Sequence, residues 1–174
     1  KVDYICWDDG AEMRDKAVAE GLHVQEFDEG TLSTLDRIVL SPGIPHTHPK
    51  PYPAIQAAKE QGIEICGDIT FLREAYPENP FYAITGTNGK STTTALLGHI
   101  LEQAVDVRVG GNLGTPALTF AATRSKKTAF VLEMSSYQIE LTDNLYPDTA
   151  ILLNITPDHL SRHGGMEGYV AAKK

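Results

Sequence analysis

One stretch constrains this chain more than any other: Gly86-Thr87-Asn88-Gly89-Lys90-Ser91-Thr92-Thr93-Thr94. A β-rich run, Phe81-Tyr82-Ala83-Ile84-Thr85, leads into it, and a helical stretch from Thr93 to Gln103 leads out. Strand, glycine turn, Lys-Ser and helix together form a layout that gathers an anion. Glycines let the backbone turn so that several N–H groups face one point. The helix N-terminus adds unpaired donors and partial positive charge. Lys90 has the reach for the β- and γ-phosphates of a nucleotide, and the Ser91 hydroxyl suits Mg²⁺. The common G-x-x-x-x-G-K-[ST] spacing needs glycine at position 84. Here Ile84 stands there and Gly86 is the first glycine, so the loop is a compact variant. The plain alternative is a strand-to-helix turn with a surface lysine.

The rest of the chain supplies a frame for such a loop. Lys1 to Trp7, Leu22 to Phe27, Arg37 to Ser41 and Ile63 to Cys66 read as strands. Helices are expected from Ala11 to Glu20, closed by Gly21, and from Ala54 to Gln61, with proline in the first turn and Gly62 as the stop. A further helix runs through Ala75, with Asp68 as its N-cap. Short strands alternating with helices indicate parallel β-α-β units. The polar, proline-bearing Tyr76-Pro77-Glu78-Asn79-Pro80 breaks the rhythm and marks a domain boundary. After it, strands are expected at Phe81 to Thr85, Val105 to Val109, Thr128 to Leu132 and Thr149 to Ile155, the last two buried. Helices are expected at Pro116 to Ala122, Ser135 to Leu141 and Met166 to Lys174.

Composition narrows the function. A hydrophobic fraction of 41% with 22% charged residues is ordinary for a globular protein. The net charge of -8 argues against a broad nucleic-acid surface, which needs a basic face, but leaves room for a local phosphate site. The only cysteines, Cys6 and Cys66, form no C-x-x-C and suit two thiols in a reducing compartment. No apolar run approaches the roughly 18–20 residues a bilayer requires, and no secretory signal opens the chain, so a cytoplasmic, membrane-free protein is expected. Both ends look cut, as in a fragment of a longer enzyme.

In open parallel sheets, ligands bind beyond the C-terminal strand ends. Four successive expected strands present polar groups there: the glycine loop, then Gly110-Gly111-Asn112, then Glu133 with Met134-Ser135-Ser136, then Asp158 and His159. A carboxylate at the position of Glu133 can hold Mg²⁺ directly or through water, or can cap the next helix. His159 can ligate a metal or orient a carboxylate, or can be an ordinary loop histidine. Asp158 can instead cap the following helix. Asp8 and Asp9 can bond a ribose or a base, or start the first helix. The H-x-H of His46 and His48 lies among prolines without a third ligand and reads as a surface loop rather than a zinc site.

Taken together, Gly86 to Thr92, G-G-N-L-G at Gly110 to Gly114, L-E-M-S-S-Y-Q-I-E at Leu132 to Glu140, L-N-I-T-P-D-H-L at Leu153 to Leu160 and Y-V-A-A-K at Tyr169 to Lys173 closely resemble the Mur ligase family, in particular its D-glutamate-adding branch. S-P-G-I at Ser41 to Ile44 and G-D-I at Gly67 to Ile69 fit that family's first domain. The resemblance implies an α/β fold in two pieces. Residues 1–79 would be a Rossmann-like UDP-binding domain lacking its first strand. Residues 80–174 would be an incomplete phosphate-loop central domain, with a C-terminal ligase domain absent. It implies ATP-dependent joining of D-glutamate to UDP-N-acetylmuramoyl-L-alanine through an acyl phosphate, in a monomer, with little activity expected from this segment alone.

The same resemblance assigns roles. Gly86, Thr87, Asn88, Gly89, Lys90, Ser91 and Thr92 would hold ATP. Ser91 and Glu133 would serve one Mg²⁺, and His159 with a carbamylated Lys173 a second. Asn112, Ser135 and His159 would lie near the acyl centre, and Ser41, Gly43 and Asp9 would touch the UDP moiety. Lys90, Glu133, His159 and Lys173 would form the catalytic set. Rival readings are a sister ligase with another amino acid, a non-catalytic nucleotide-binding module and a simple kinase.

Overall fold

A computed structural model describes residues 3–112, 114–122, 125 and 127–174. Its larger sheet has strands β3 (Phe81–Thr85), β4 (Val107–Gly111), β5 (Ala129–Glu133) and β6 (Thr149–Leu152), all parallel in the order β4-β5-β3-β6. Strand β5, A-F-V-L-E, is buried along its whole length. A parallel strand covered on both faces has to read as a continuous apolar run, and this one does. Phe130 at its centre packs on Phe81 at 4.8 Å between ring centroids and on Tyr76 at 5.2 Å. Burying each such ring contributes about 1.5–3 kcal/mol.

The first unit carries helices α1 (Ala11–Ala19), α2 (Glu29–Leu32), α3 (Pro53–Glu60) and α4 (Asp68–Ala75), with strands β1 (Arg37–Val39) and β2 (Glu64–Cys66) paired in parallel. The expected strands at the start of the chain and at Leu22 to Phe27 shrink to one parallel bridge, Cys6 with Val24. Cys6 N–H donates to the His23 carbonyl and Gln25 N–H to the Cys6 carbonyl. A strand needs a ladder, and these segments meet at one rung; Lys1 and Val2 lie outside the described residues. Asp68 is the first residue of α4 rather than its cap, because Gly67 takes that place, with its N–H on the Leu141 carbonyl at 2.7 Å.

Helix α4 faces the larger sheet. Ile69 and Leu72 join Phe81, Phe120, Phe130 and Leu132 in one core. The segment after α4 is fastened as well: the Asn79 side chain donates to the carbonyls of Thr128 and Ser125 at 2.8 and 3.1 Å. In the other direction, Leu141 enters the first unit's core among Leu32, Ile38, Leu40 and Ile55.

Helix α5 (Lys90–Leu101) follows β3 through the glycine turn, and helices α6 (Ser136–Ile139) and α7 (Met166–Ala171) follow later. Ala117–Ala122 is a 3-10 helix instead of an α-helix, and α6 is a single turn. Strand β6 is an exposed edge rather than a buried strand, because only β3 pairs with it.

Gly98 lies in the α5 interior, and a Cβ there would run into the Val109 side chain on β4. Alanine is favoured over glycine within a helix by roughly 0.5–1 kcal/mol. Overpacking costs about 1–3 kcal/mol and should win. Gly98→Ala is therefore expected to lower the thermal midpoint, by about 2–4 °C for each kcal/mol lost in a chain of this size. A raised midpoint in a calorimetric scan would show that α5 and β4 are not in close contact.

Candidate functional site

A cavity of about 370 Å³ opens at the C-terminal ends of the larger sheet's strands, lined among others by Gly43, Gly86, Lys90, Asn112, Ser135 and His159, with Lys173 on its wall. The lining residues come from several turns at this edge. Gly86 and Lys90 flank the turn after β3, Asn112 follows β4, Ser135 follows β5, and Lys173 comes from just past α7.

The glycine turn is set by space as well as by φ. Gly86 has φ 147°, and a Cβ there would lie 3.1 Å from Leu153 Cβ and 3.2 Å from the Asn154 carbonyl. Gly89, at φ 85°, caps α5 in the left-handed region that favours glycine. Asn154 clamps the loop in both directions. Its Oδ1 accepts from Asn88 N–H and its Nδ2 donates to the Asn88 carbonyl, both at 2.9 Å. Thr87 N–H donates to the Asn154 carbonyl at 3.0 Å. The Thr87 hydroxyl meets Tyr169 Oη at 3.0 Å and accepts from Thr156 N–H at 2.9 Å. Lys90 donates to the Thr87 carbonyl at 2.8 Å, across the mouth of the turn.

Lys173 is buried, and its Nζ donates to Thr85 Oγ1 at 3.0 Å and to the Gly86 carbonyl at 3.2 Å. Burial first, and then the nearby positive charge of Lys90, push its pKa down to about 8; Asp158 pulls the other way. Glu133 is buried behind Asn112, whose Nδ2 donates to Glu133 Oε1 at 3.1 Å. Its second oxygen, Oε2, has no hydrogen-bond partner among the described residues. His159 takes φ 50°, unusual for a residue with a side chain, and its ring stands 3.5 Å from the Asp158 carboxylate. His159, rather than Asp158, holds the cap position of the 3-10 turn at Leu160–Arg162.

Other expected residues stand apart from the cavity wall. Ser41, Ser91 and Thr92 are exposed. Asp9 accepts from Tyr52 Oη at 2.7 Å on the first unit, and Asp8 Oδ1 accepts from Gly10 N–H at the start of α1. Leu113 of G-G-N-L-G lies outside the described residues. His46 is buried rather than on a surface loop, because it faces Glu140, with 3.9 Å between Nε2 and Oε2. Among the described residues, no three His, Cys, Asp or Glu side chains cluster as a metal site. No helix among them is long and apolar enough to cross a membrane. Cys6 and Cys66 are free thiols.

Sequence reasoning gave no role to His163, and it named Asn154, Tyr137 and Tyr169 only inside family motifs, without the contacts they make here. Their partners are far away in the chain, so no local spacing pointed to them.

A central parallel strand that runs into a glycine turn and a lysine-headed helix defines a phosphate-loop α/β domain. Residues 84–174 match the Mur ligase middle domain, and residues 10–67 match the MurD-like N-terminal domain of Mur ligases. The chain belongs to the Mur ligase family. It is 53% identical over 175 aligned positions to the UDP-N-acetylmuramoylalanine--D-glutamate ligase of Rhodospirillum rubrum, covering 97% of this chain and 36% of that protein. The protein of the same name from Caulobacter sp. is 50% identical, with 97% and 37% covered. The chain thus spans little more than a third of the length of these relatives. Its fold is also like that of the Neisseria meningitides UDP-N-acetylmuramate:L-alanyl-gamma-D-glutamyl-meso-diaminopimelate ligase. That TM-score is 0.52 at 19% identity, covering 97% of this chain and 57% of that one.

The Lys173 amine offers a direct check. In a ¹⁵N-lysine NMR titration, one resonance should inflect near pH 8, below the ordinary lysine range of about 10.4. Lys90→Met should move that inflection upward, since a repelling charge is gone. The linkage has a definite sign. The folded pKa lies below the unfolded one, so the unfolded state binds more protons between them. Stability should therefore rise as pH climbs from about 8 to about 10.4. A titration with every lysine near its ordinary value would refute the buried placement.

Proposed function

We propose that this chain supplies the nucleotide and acyl-acceptor cavity of an ATP-dependent ligase that joins D-glutamate to UDP-N-acetylmuramoyl-L-alanine in peptidoglycan synthesis. The observation that carries this reading is the convergence of Gly86, Lys90, Asn112, Ser135, His159 and Lys173 on one cavity. High identity to proteins named for that reaction supports it.

The chemistry follows from the charges. The loop amides of Gly86 to Thr92 and the Lys90 ammonium hold the triphosphate and neutralise charge as the γ-phosphoryl group leaves ADP. A carboxylate oxygen of the UDP-sugar-alanine attacks the γ-phosphorus, giving an acyl phosphate and ADP. The amine of D-glutamate then attacks the acyl carbon, loses a proton and expels phosphate, leaving an amide. Asn112 and Ser135 hold the acyl end, and Ser41, Gly43 and Asp9 hold the UDP end. The two units keep both ends of one substrate in register, which is the positional part of the catalysis.

The residues present fit magnesium. The orphaned, buried Oε2 of Glu133 needs a partner that a divalent cation or its water supplies. Ser91 and Glu133 would serve one ion, and His159 with Lys173 a second. Bound there, Mg²⁺ would draw charge off the phosphate oxygens. As an ammonium, Lys173 repels a cation; as a carbamate it becomes an oxygen ligand. Carbamylation joins a neutral amine to CO₂ and releases one proton. A pKa of about 8 leaves about a tenth of the amine neutral at pH 7, against well under a thousandth for an ordinary lysine. ATP-dependent chemistry fits a cytoplasmic setting, and the protein is proposed to act as a monomer.

The test uses the intact protein that carries these residues, assayed for phosphate release against a panel of amino acids, with the amide product identified by mass. D-glutamate should be the acceptor. Lys90→Ala and Glu133→Ala should each cut turnover by at least about 10²–10³-fold. Near-normal rates in either variant would remove the phosphate and metal assignment. A phosphate ester product would point to a kinase instead.

A further inference from the structure

Behind the cavity wall runs a buried polar chain that the reaction outlined above leaves unused. Ser136 lines the cavity beside Ser135 and is itself buried. Its Oγ lies 2.9 Å from His163 Nε2. His163 Nδ1 lies 3.1 Å from Glu140 Oε1, and the His163 side chain is fully buried. Glu140 Oε2 faces His46 of the first unit at 3.9 Å. Burial pushes the His46 pKa down against the pull of Glu140, so His46 favours its neutral form.

With His163 neutral and Glu140 ionised, the hydrogen-bond roles along this chain follow from chemistry. An ionised carboxylate only accepts, so the proton between Glu140 and His163 sits on Nδ1. A neutral imidazole with Nδ1–H has a bare Nε2, which can only accept. The one available donor to it is the Ser136 hydroxyl. Ser136 then has its proton turned away into the protein, and its remaining lone pairs are what it offers elsewhere.

The ring of His163 is also held in place. It packs on Tyr137 at 5.5 Å and on Tyr169 at 5.4 Å between centroids. Tyr137 in turn carries the Arg162 guanidinium at 4.9 Å, and Arg162 donates to the carbonyls of Pro42 and Ile44 in the first unit. A side chain so enclosed keeps one orientation, and a tautomer fixed at one end is transmitted to the other.

We propose that His163 is a positioning residue. With Glu140 holding its Nδ1–H tautomer, it takes the hydroxyl proton of Ser136, so that Ser136 Oγ presents lone pairs to an N–H donor in the cavity. The ligand chemistry selected is a primary amine or an amide N–H. This rests on the ligase reading, in which the incoming amino acid brings such an amine to that wall. The Ser-His-Glu geometry resembles that of a hydrolytic triad. Its role here is orientation, and it forms no covalent bond.

Two measurements on the intact protein separate this proposal from the reading it rests on. Long-range ¹H–¹⁵N NMR of the imidazoles, with His163→Gln to assign the signal, should show His163 protonated on Nδ1 and bare on Nε2. Glu140→Leu, which removes the acceptor, should remove that preference. A protonated Nε2 in the wild-type protein would overturn the proposal whatever the activity. In kinetics, Ser136→Ala and His163→Phe should each raise KM for the amino-acid acceptor about tenfold, the worth of one hydrogen bond, and leave KM for ATP unchanged. The double variant should be no worse than either single one, because the two residues act as one unit. His163→Gln, whose amide oxygen can accept from Ser136, should recover part of the loss. An unchanged acceptor KM, or losses that multiply in the double variant, would overturn the proposal. If the wild-type protein forms no amide with any amino acid yet His163 carries Nδ1–H, the ligase reading falls and the tautomer assignment stands.

Discussion

Two ammonium groups share the end of strand β3, and burial of one beside the charge of the other governs the site. Lys90 and Lys173 bond neighbouring atoms of one turn, the Thr87 carbonyl and the Gly86 carbonyl. Burial and the Lys90 charge both disfavour protonated Lys173, and Asp158 only partly compensates. Such an arrangement is expensive to keep empty of anions and favourable once one enters. In the proposed function, a triphosphate would relieve it from one side, and conversion of Lys173 to an anion would relieve it from the other. The strain on charge is thus a reason for both features assigned to the site, and neither requires the other.

The loop that collects this charge is held from outside itself. Asn154 imitates a backbone neighbour for Asn88, donating and accepting at once, and Tyr169 and Thr156 meet the Thr87 hydroxyl. A glycine turn alone would be costly to order, because glycine loses more freedom than any other residue. Fixed by β6's following loop and by α7, its N–H groups stay aimed before any ligand arrives. That is preorganisation in the literal sense, with the ordering cost met during folding rather than during catalysis.

Local rules made much of this legible. The apolar run of β5, the Gly-Lys-Ser turn after β3 and the polar residues after each strand could be read from spacing alone, because each depends on neighbours in the chain. What could not be read depends on distant partners. Asp68 looked like a cap, but Gly67 must press against Leu141, where a Cβ would come within 3.2 Å of the Leu141 Cβ. The first segments looked like strands, but pairing is decided by what lies alongside. His46 looked solvated among prolines, yet Glu140, far along the chain, buries it. Lys173 was found through resemblance to a family motif, whereas its lowered pKa is visible only once Thr85, Gly86 and Lys90 surround it.

The short helix α6 explains why the two units behave as one site. Its Ser135 cap is closed by a reciprocal bond pair with Gln138, which fixes where the following residues point. Ser136 then meets His163 and the cavity, Glu140 reaches toward His46, and Leu141 enters the first unit's core while its carbonyl accepts from Gly67 N–H. One helical turn therefore ties the cavity wall to a hydrophobic core on the far side. A displacement of the first unit would have to break apolar burial and buried polar bonds together, and these fail cooperatively rather than by degrees. The spacing between the cavity and the first unit is accordingly set by packing, and a helix of only four residues is enough to set it.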